Sequence, residues 1–273
     1  MKHLFALIGL VALGWLPVAL PSQTAEAAVD DMLGFTGMAE QLASLASTIG
    51  TLYQQQEKNL KPGSYQAIQN IVREQFSQAV FIRYVKDELT KSYDPKLYGK
   101  LKADYQDPLV IAITKAEIQY SATRNQTKID AYDYSEVPAT RKQALEALLL
   151  STDELTIMEL MAKDAMQAFL TTFNLFLPPE KKIKPELSRG LIDKVVADVR
   201  SPASLLRLKK SYALCYADFS NQQVLEYAKL YATEEGTWFM QGYLRGFAAG
   251  YKAAMQKAAD EIIQSLDSQS SNA

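Results

Sequence analysis

The stretch TEEGTWFMQGYLRGFAAGYKAAMQKAADEIIQSL, residues 233–266, runs without a proline. It opens on Thr233, whose hydroxyl suits a helix N-cap, followed by Glu234 and Glu235, where the exposed amides and dipole of a first turn favour negative charge. One long α-helix is the reading, ending near Leu266 before a Ser, Gln and Asn tail. Gly242, Gly246 and Gly250 recur every four residues inside it, although each costs about 1 kcal/mol relative to alanine. Stacked on one face, they form a smooth groove into which another helix backbone fits closely. Trp238, Phe239, Tyr243, Phe247 and Tyr251 run beside that groove as an aromatic strip too wide for one neighbour to bury. Packing against a helix of the same chain is the first expectation for the groove, and core is the default for most of the strip. Any part left exposed is the candidate surface for a partner protein or an apolar ligand. Gln241, Arg245 and Lys252 make the segment too polar to span a bilayer.

Helical spacing extends through the rest of the chain. Phe35, Met38, Leu42, Leu45, Ile49 and Leu52 step by three and four on a helix expected to start near Asp30 and to end at Lys61-Pro62-Gly63. Ser64 reads as the N-cap of a second helix, with a stripe from Tyr65 through Ile68, Val72, Phe76 and Ala79 to Leu89. Asp94-Pro95 and Asp107-Pro108 each combine an N-cap side chain with a residue whose φ is already helical, and they bracket a short helix. Thr123 to Val137 reads as a linker. Pro138 opens a helix through Leu150, and Ser151 to Glu154 reads as a capping box ahead of Leu155 to Phe176. Pro178-Pro179 stops that helix, Lys181 to Lys184 is a solvated connection, Pro185 and Pro202 open two more helices, and Ser220 to Gln223 is a second capping box. No segment alternates apolar and polar residues between tight-turn signals, so the fold class is all-α.

At the other end, Lys2 and His3 precede an apolar run from Leu4 to Leu20 broken only by Gly and Pro, and Ala25-Glu26-Ala27 supplies the small residues a signal peptidase reads. The expectation is a secretory signal peptide over 1–27, cut after Ala27, and a periplasmic or secreted protein. Pro17 and Pro21 interrupt the run before a membrane anchor's length accumulates. No cysteine follows it to take a lipid.

The chain's single histidine is His3, so the processed protein holds none, which excludes His-dependent triads and His-ligated zinc. Cys215 is the one cysteine and reads as a small buried hydrophobe. With 29 Lys+Arg against 31 Asp+Glu, and a net charge of −2, nothing draws the protein to nucleic acid or an anionic surface. At 48% apolar and 22% charged the chain is globular. Met158, Met161 and Met166, with Phe169, Phe173 and Phe176 on the same helix, read as gap-filling core before they read as a soft-metal site. Carboxylates are the remaining acid-base groups. Glu234 and Glu235 are the pair a two-carboxylate hydrolase would suggest, yet the dipole and exposed amides of a helix's first turn explain them first.

A shift of 126 residues places Asp94 on Ser220 and Asp107 on Thr233, both pairs being N-caps, and carries apolar positions onto apolar positions: Leu101 on Tyr227, Tyr105 on Tyr231, Ile113 on Phe239. The organisation expected is two copies of one helical unit, 30–125 and 138–266, joined by a linker over 126–137 and followed by a disordered tail over 267–273.

The segment Tyr231-Ala232-Thr233-Glu234-Glu235-Gly236 resembles a motif of the secreted bacterial family catalogued as domain of unknown function 2059. There an aromatic-rich segment, then Ser or Thr, Pro, any residue and Gly, heads the last helix. The aromatic, Thr233 and Gly236 agree; Glu234 stands where the family has proline. In the first copy, Tyr105-Gln106-Asp107-Pro108 keeps the proline and lacks the glycine. The resemblance implies an all-α exported protein and brings no activity with it.

These readings converge on a non-enzymatic protein of the cell envelope that works by contact, with an envelope protein or with itself, and needs no cofactor, metal, nucleic acid or stable membrane span. A carboxylate-dependent hydrolase of an envelope polymer and a helical carrier of apolar ligands are the alternatives.

Overall fold

The computed structural model describes residues 24–43, 64–123, 126–177 and 179–270. They are about 85% helical, with no strand among them, and the helices pack into one all-α body. Helix α1 is Ala25–Phe35, α2 Ser64–Gln75, α3 Gln78–Lys91, α4 Pro95–Asp104, α5 Pro108–Thr123 and α6 Gln126–Ala131. Then come α7 Ala139–Ser151, α8 Glu154–Phe176, α9 Pro185–Val199, α10 Pro202–Cys215, α11 Asn221–Ala232 and α12 Glu234–Ser270.

Local chemistry sets most of these boundaries. Asp94 accepts from the amides of Lys96 and Leu97 with Pro95 in the first turn of α4, and Asp107 accepts from Leu109 N ahead of α5. Ser220 and Gln223 form a reciprocal capping box at α11. Thr233 accepts from Gly236 N at 3.0 Å and donates to Leu230 O at 2.7 Å, turning the chain sharply from α11 into α12. A Cβ on Gly236 would lie 1.9 Å from Leu230 O, so only glycine fits this turn. Thus the two segment starts of α4 and α11, and those of α5 and α12, repeat at the same 126-residue offset as the capping residues.

Four expectations about elements need correction. The first stripe is not carried by one helix: α1 starts earlier, at Ala25 on the Thr24 cap, and breaks at Thr36-Gly37, where Gly37 takes φ +70° and the chain turns before helix resumes over 38–43. Leu45, Ile49 and Leu52 lie outside the described residues. The second stripe is likewise divided, because the chain leaves helix at Phe76 and Ser77 and restarts at Gln78. Residues 126–137 are no free linker: α6 lies there, with Ile129 fully buried and Tyr134 and Val137 packed inside. Nor does helix stop at Leu266, since α12 runs 37 residues to Ser270.

The core is continuous across both halves of the chain. Its axis is α12, which packs against α3 most extensively, then α8 and α2, and touches α4 and α11. α1 is fastened alongside by Tyr98 Oη donating to Asp31 Oδ2 at 2.6 Å and Lys102 Nζ donating to the same atom at 2.7 Å, contacts that hold the Asp31 carboxyl below its usual range. Ala28 and Val29, immediately after the expected cleavage point, are fully buried, whereas Ala25 and Ala27 sit in the first turn of α1.

Candidate functional site

The surface expected on α12 lies inside the molecule. Phe239, Tyr243, Phe247 and Tyr251 are each at most 8% exposed, and their rings step along the helix at 6.3, 6.1 and 6.3 Å in stacked pairs. Phe81 meets Phe247 at 5.3 Å and Phe76 meets the edge of Tyr251 at 5.7 Å, so α2 and α3 cover what one neighbour could not. Trp238 is half-buried and donates its indole N–H to Ser92 O at 2.8 Å. The glycines are filled by α3 as well: a Cβ on Gly242 would lie 2.6 Å from Leu89 Cδ2, one on Gly246 2.4 Å from Val85 Cα, and one on Gly250 3.3 Å from Tyr84 Cβ. Groove and strip are therefore consumed by the protein's own core, apart from the half-buried Trp238.

The chemistry gathers elsewhere, around Glu117 on α5. Tyr216, the C-cap of α10, donates to its Oε1 at 2.6 Å, and Tyr227 of α11 donates to its Oε2 at 3.0 Å. The Tyr227 hydroxyl also lies 2.7 Å from that of Tyr231, which meets Tyr105 in turn. Tyr212 adjoins Tyr216 ring to ring at 5.5 Å, donates to Glu154 Oε2 and lies 3.1 Å from Thr152 Oγ1. Tyr105, Tyr212, Tyr216, Tyr227 and Tyr231 are all under 9% exposed. Burial pushes the Glu117 carboxyl up to about 7, with the Glu154 charge adding to it and the two tyrosine hydroxyls acting against it. The Cys215 thiol beside these carboxylates is pushed well up by burial, which leaves it a poor nucleophile.

Sequence reasoning missed this cluster. Glu154 was expected to close a capping box with Ser151. Instead Ser151 Oγ donates back to Leu148 O at 2.8 Å, Asp153 adopts a left-handed φ of 53° between α7 and α8, and Glu154 turns inward to Tyr212. Tyr105 and Tyr231, which the 126-residue offset superposes, are the available signal: both were singled out as apolar repeat positions, and they meet.

The carboxylates named for hydrolysis do not act as a pair. Glu234 is exposed while Glu235 is buried, and Lys100 Nζ lies 3.2 Å from the first and 3.7 Å from the second. Glu235 faces Asp104, whose carboxyl is raised by burial and by that neighbouring charge. Among the described residues no three acidic, thiol or imidazole groups come together as they would around a metal ion. No helix there is long and apolar enough to cross a membrane.

Crevices lie beside the core among the described residues. One, between α8 and α12, is lined by Ile157, Met161, Asp164, Phe247, Ala248 and Tyr251 and measures about 10 Å³, room for a single water. Another, about 310 Å³, is charged, with Glu26, Asp30, Lys86, Asp87, Thr90 and Lys91 around it.

The outermost layer is the hairpin of α8 and α9. Glu159 pairs with Arg200 at its base, and Asn174 at its tip both donates to Ile183 O (3.1 Å) and accepts from Ile183 N (2.7 Å). Phe169 and Leu187 are 58% and 59% exposed, and no residue of α9 is buried. Lys181, Lys182 and Lys184 project from the tip that Asn174 holds.

No family model matches the chain, and neither does any curated protein or solved structure.

Proposed function

We propose that this chain is an exported, non-enzymatic helical protein of the cell envelope that acts by binding another protein, and that its contact surface is the α8–α9 hairpin. What supports this reading is that no residue of α9 is buried, so the helix has no covering layer and presents Leu187 to solvent close in sequence to three exposed lysines. The partner's chemistry follows from the surface: an apolar segment flanked by carboxylates that meet Lys181, Lys182 and Lys184. The state of Glu117 favours contact over hydrolysis, since both of its oxygens are already engaged by buried tyrosines. The leader over 1–27 and the origin of the chain as two copies of one unit belong to the same reading; the repeated helix starts support the second.

The test is a photo-crosslinking residue at Leu187 in intact cells, with Leu225 on α11 as an exposed control. A discrete adduct at Leu187, absent at Leu225 and lost when the three lysines are changed to glutamate, is expected. Equal labelling at both positions, or an adduct indifferent to the charge reversal, would sink the assignment.

A further inference from the structure

We propose that Glu117 is a proton-binding site that sets how tightly α5 holds α10 and α11, so that acidification locks the three helices together and alkaline conditions loosen them. The geometry gives the reason. Glu117 joins the three helices through one carboxyl group: its own helix α5, Tyr216 at the C-cap of α10 at 2.6 Å and Tyr227 of α11 at 3.0 Å. The titratable groups facing it are Tyr105 from the turn after α4, Glu154 from α8, Tyr212 and Cys215 from α10 and Tyr216 at its C-cap, and Tyr227 and Tyr231 from α11. Among the described residues none of these is a cation. An ionised Glu117 is thus a buried negative charge with a second carboxylate nearby and only neutral hydroxyls to solvate it, whereas a protonated Glu117 is neutral, its carbonyl oxygen still accepting from one tyrosine while its O–H donates to the hydroxyl oxygen of the other.

The sign follows from linkage. In an opened or unfolded chain the carboxyl titrates near its ordinary 4.5; in the closed structure it titrates at about 7. Between these values the closed form keeps a proton that the open form releases, so closure is favoured as pH falls. The contribution is fully present below about 4.5 and is lost as pH rises through about 7. An exported protein experiences the pH of its surroundings, which is where such a device has use, although the site itself does not depend on the hairpin or on export.

Amide hydrogen exchange of the full chain, corrected for the intrinsic pH dependence of exchange, reads the opening of α10 and α11 directly. Opening should increase about tenfold per pH unit from roughly pH 5 to 6.5 and level off above about 7.5. In Glu117→Gln that slope should vanish. Tyr216→Phe removes a donor that favours the charged form, so the plateau should move to higher pH. A flat wild-type profile overturns the proposal, as does a slope that survives in Glu117→Gln. Should Glu117→Gln not fold, an unshifted profile in Tyr216→Phe is equally decisive against it. Loss of the slope in Asp104→Asn or Asp164→Asn, the other carboxyls raised by burial, would assign the proton elsewhere and overturn it too.

Discussion

At Gly246 the backbone of α12 runs so near α3 that an added methyl would meet Val85 Cα at 2.4 Å, Tyr84 O at 2.8 Å and Val85 N at 2.9 Å. All three atoms are backbone or bonded to it, so no rotamer change relieves the clash and the helices must separate. Gly190 in α9 and Gly99 in α4 have nothing within 4 Å of the same position. Gly246→Ala should therefore destabilise by about 1–3 kcal/mol or more through overpacking. Gly190→Ala and Gly99→Ala should stabilise by up to about 1 kcal/mol, the ordinary gain of alanine over glycine in a helix. Denaturant midpoints of the three variants decide it, and a neutral Gly246→Ala would mean that α3 and α12 are not in contact there. The residue scale is also where the sequence was most and least legible. The glycine period of four announced a close helix contact, but periodicity names a face without saying what lies against it. The strip on that face was too wide for one helix, and two helices proved to cover it. Glu117 carries no local pattern at all, because its partners come from residues about a hundred positions away and only the fold assembles them.

At the scale of elements, the helix starts that carry a side-chain cap beside a proline were readable because the determinants sit within four residues of one another. Breaks inside an apolar stripe were not, since the stripe continues through Thr36-Gly37 and through Ser77 while the backbone does not. The capping-box spacing at Ser151 failed for a related reason: Glu154 gains more from the Tyr212 hydroxyl than from a backbone amide, so tertiary contact overrode the local motif. Nothing in the sequence of the α8–α9 tip revealed that Asn174 satisfies both backbone groups of Ile183. Asn174→Ala deletes the two bonds together, at a cost of about 1–3 kcal/mol to the tip alone. Exchange of the Ile183 amide should accelerate about tenfold or more, while amides of α11, which lies elsewhere in the core, stay as protected as before. If the α11 amides accelerate equally, the hairpin does not open separately from the core.

For the whole molecule the decisive fact is that the strongest helix contact joins the two halves: α3 from the first and α12 from the last. The 126-residue offset of caps and apolar positions invites a picture of two domains, but one core runs through both halves of the chain. Neither half can bury its own apolar faces. Residues 28–125 alone would expose Phe81, Val85 and Leu89, all fully buried under α12 in the complete chain. At about 1.5–3 kcal/mol for each such side chain, the loss is comparable to the 5–15 kcal/mol that holds a typical domain together. A fragment of residues 28–125 should therefore lack a cooperative unfolding transition by circular dichroism, and adding a fragment of residues 126–273 should restore one. The full chain should unfold in a single step, because no boundary separates a core that α12 shares with helices from both sides. Cooperative unfolding of the isolated first half near the midpoint of the intact protein would show instead that the units are independent, and that α12 joins two finished bodies rather than completing one.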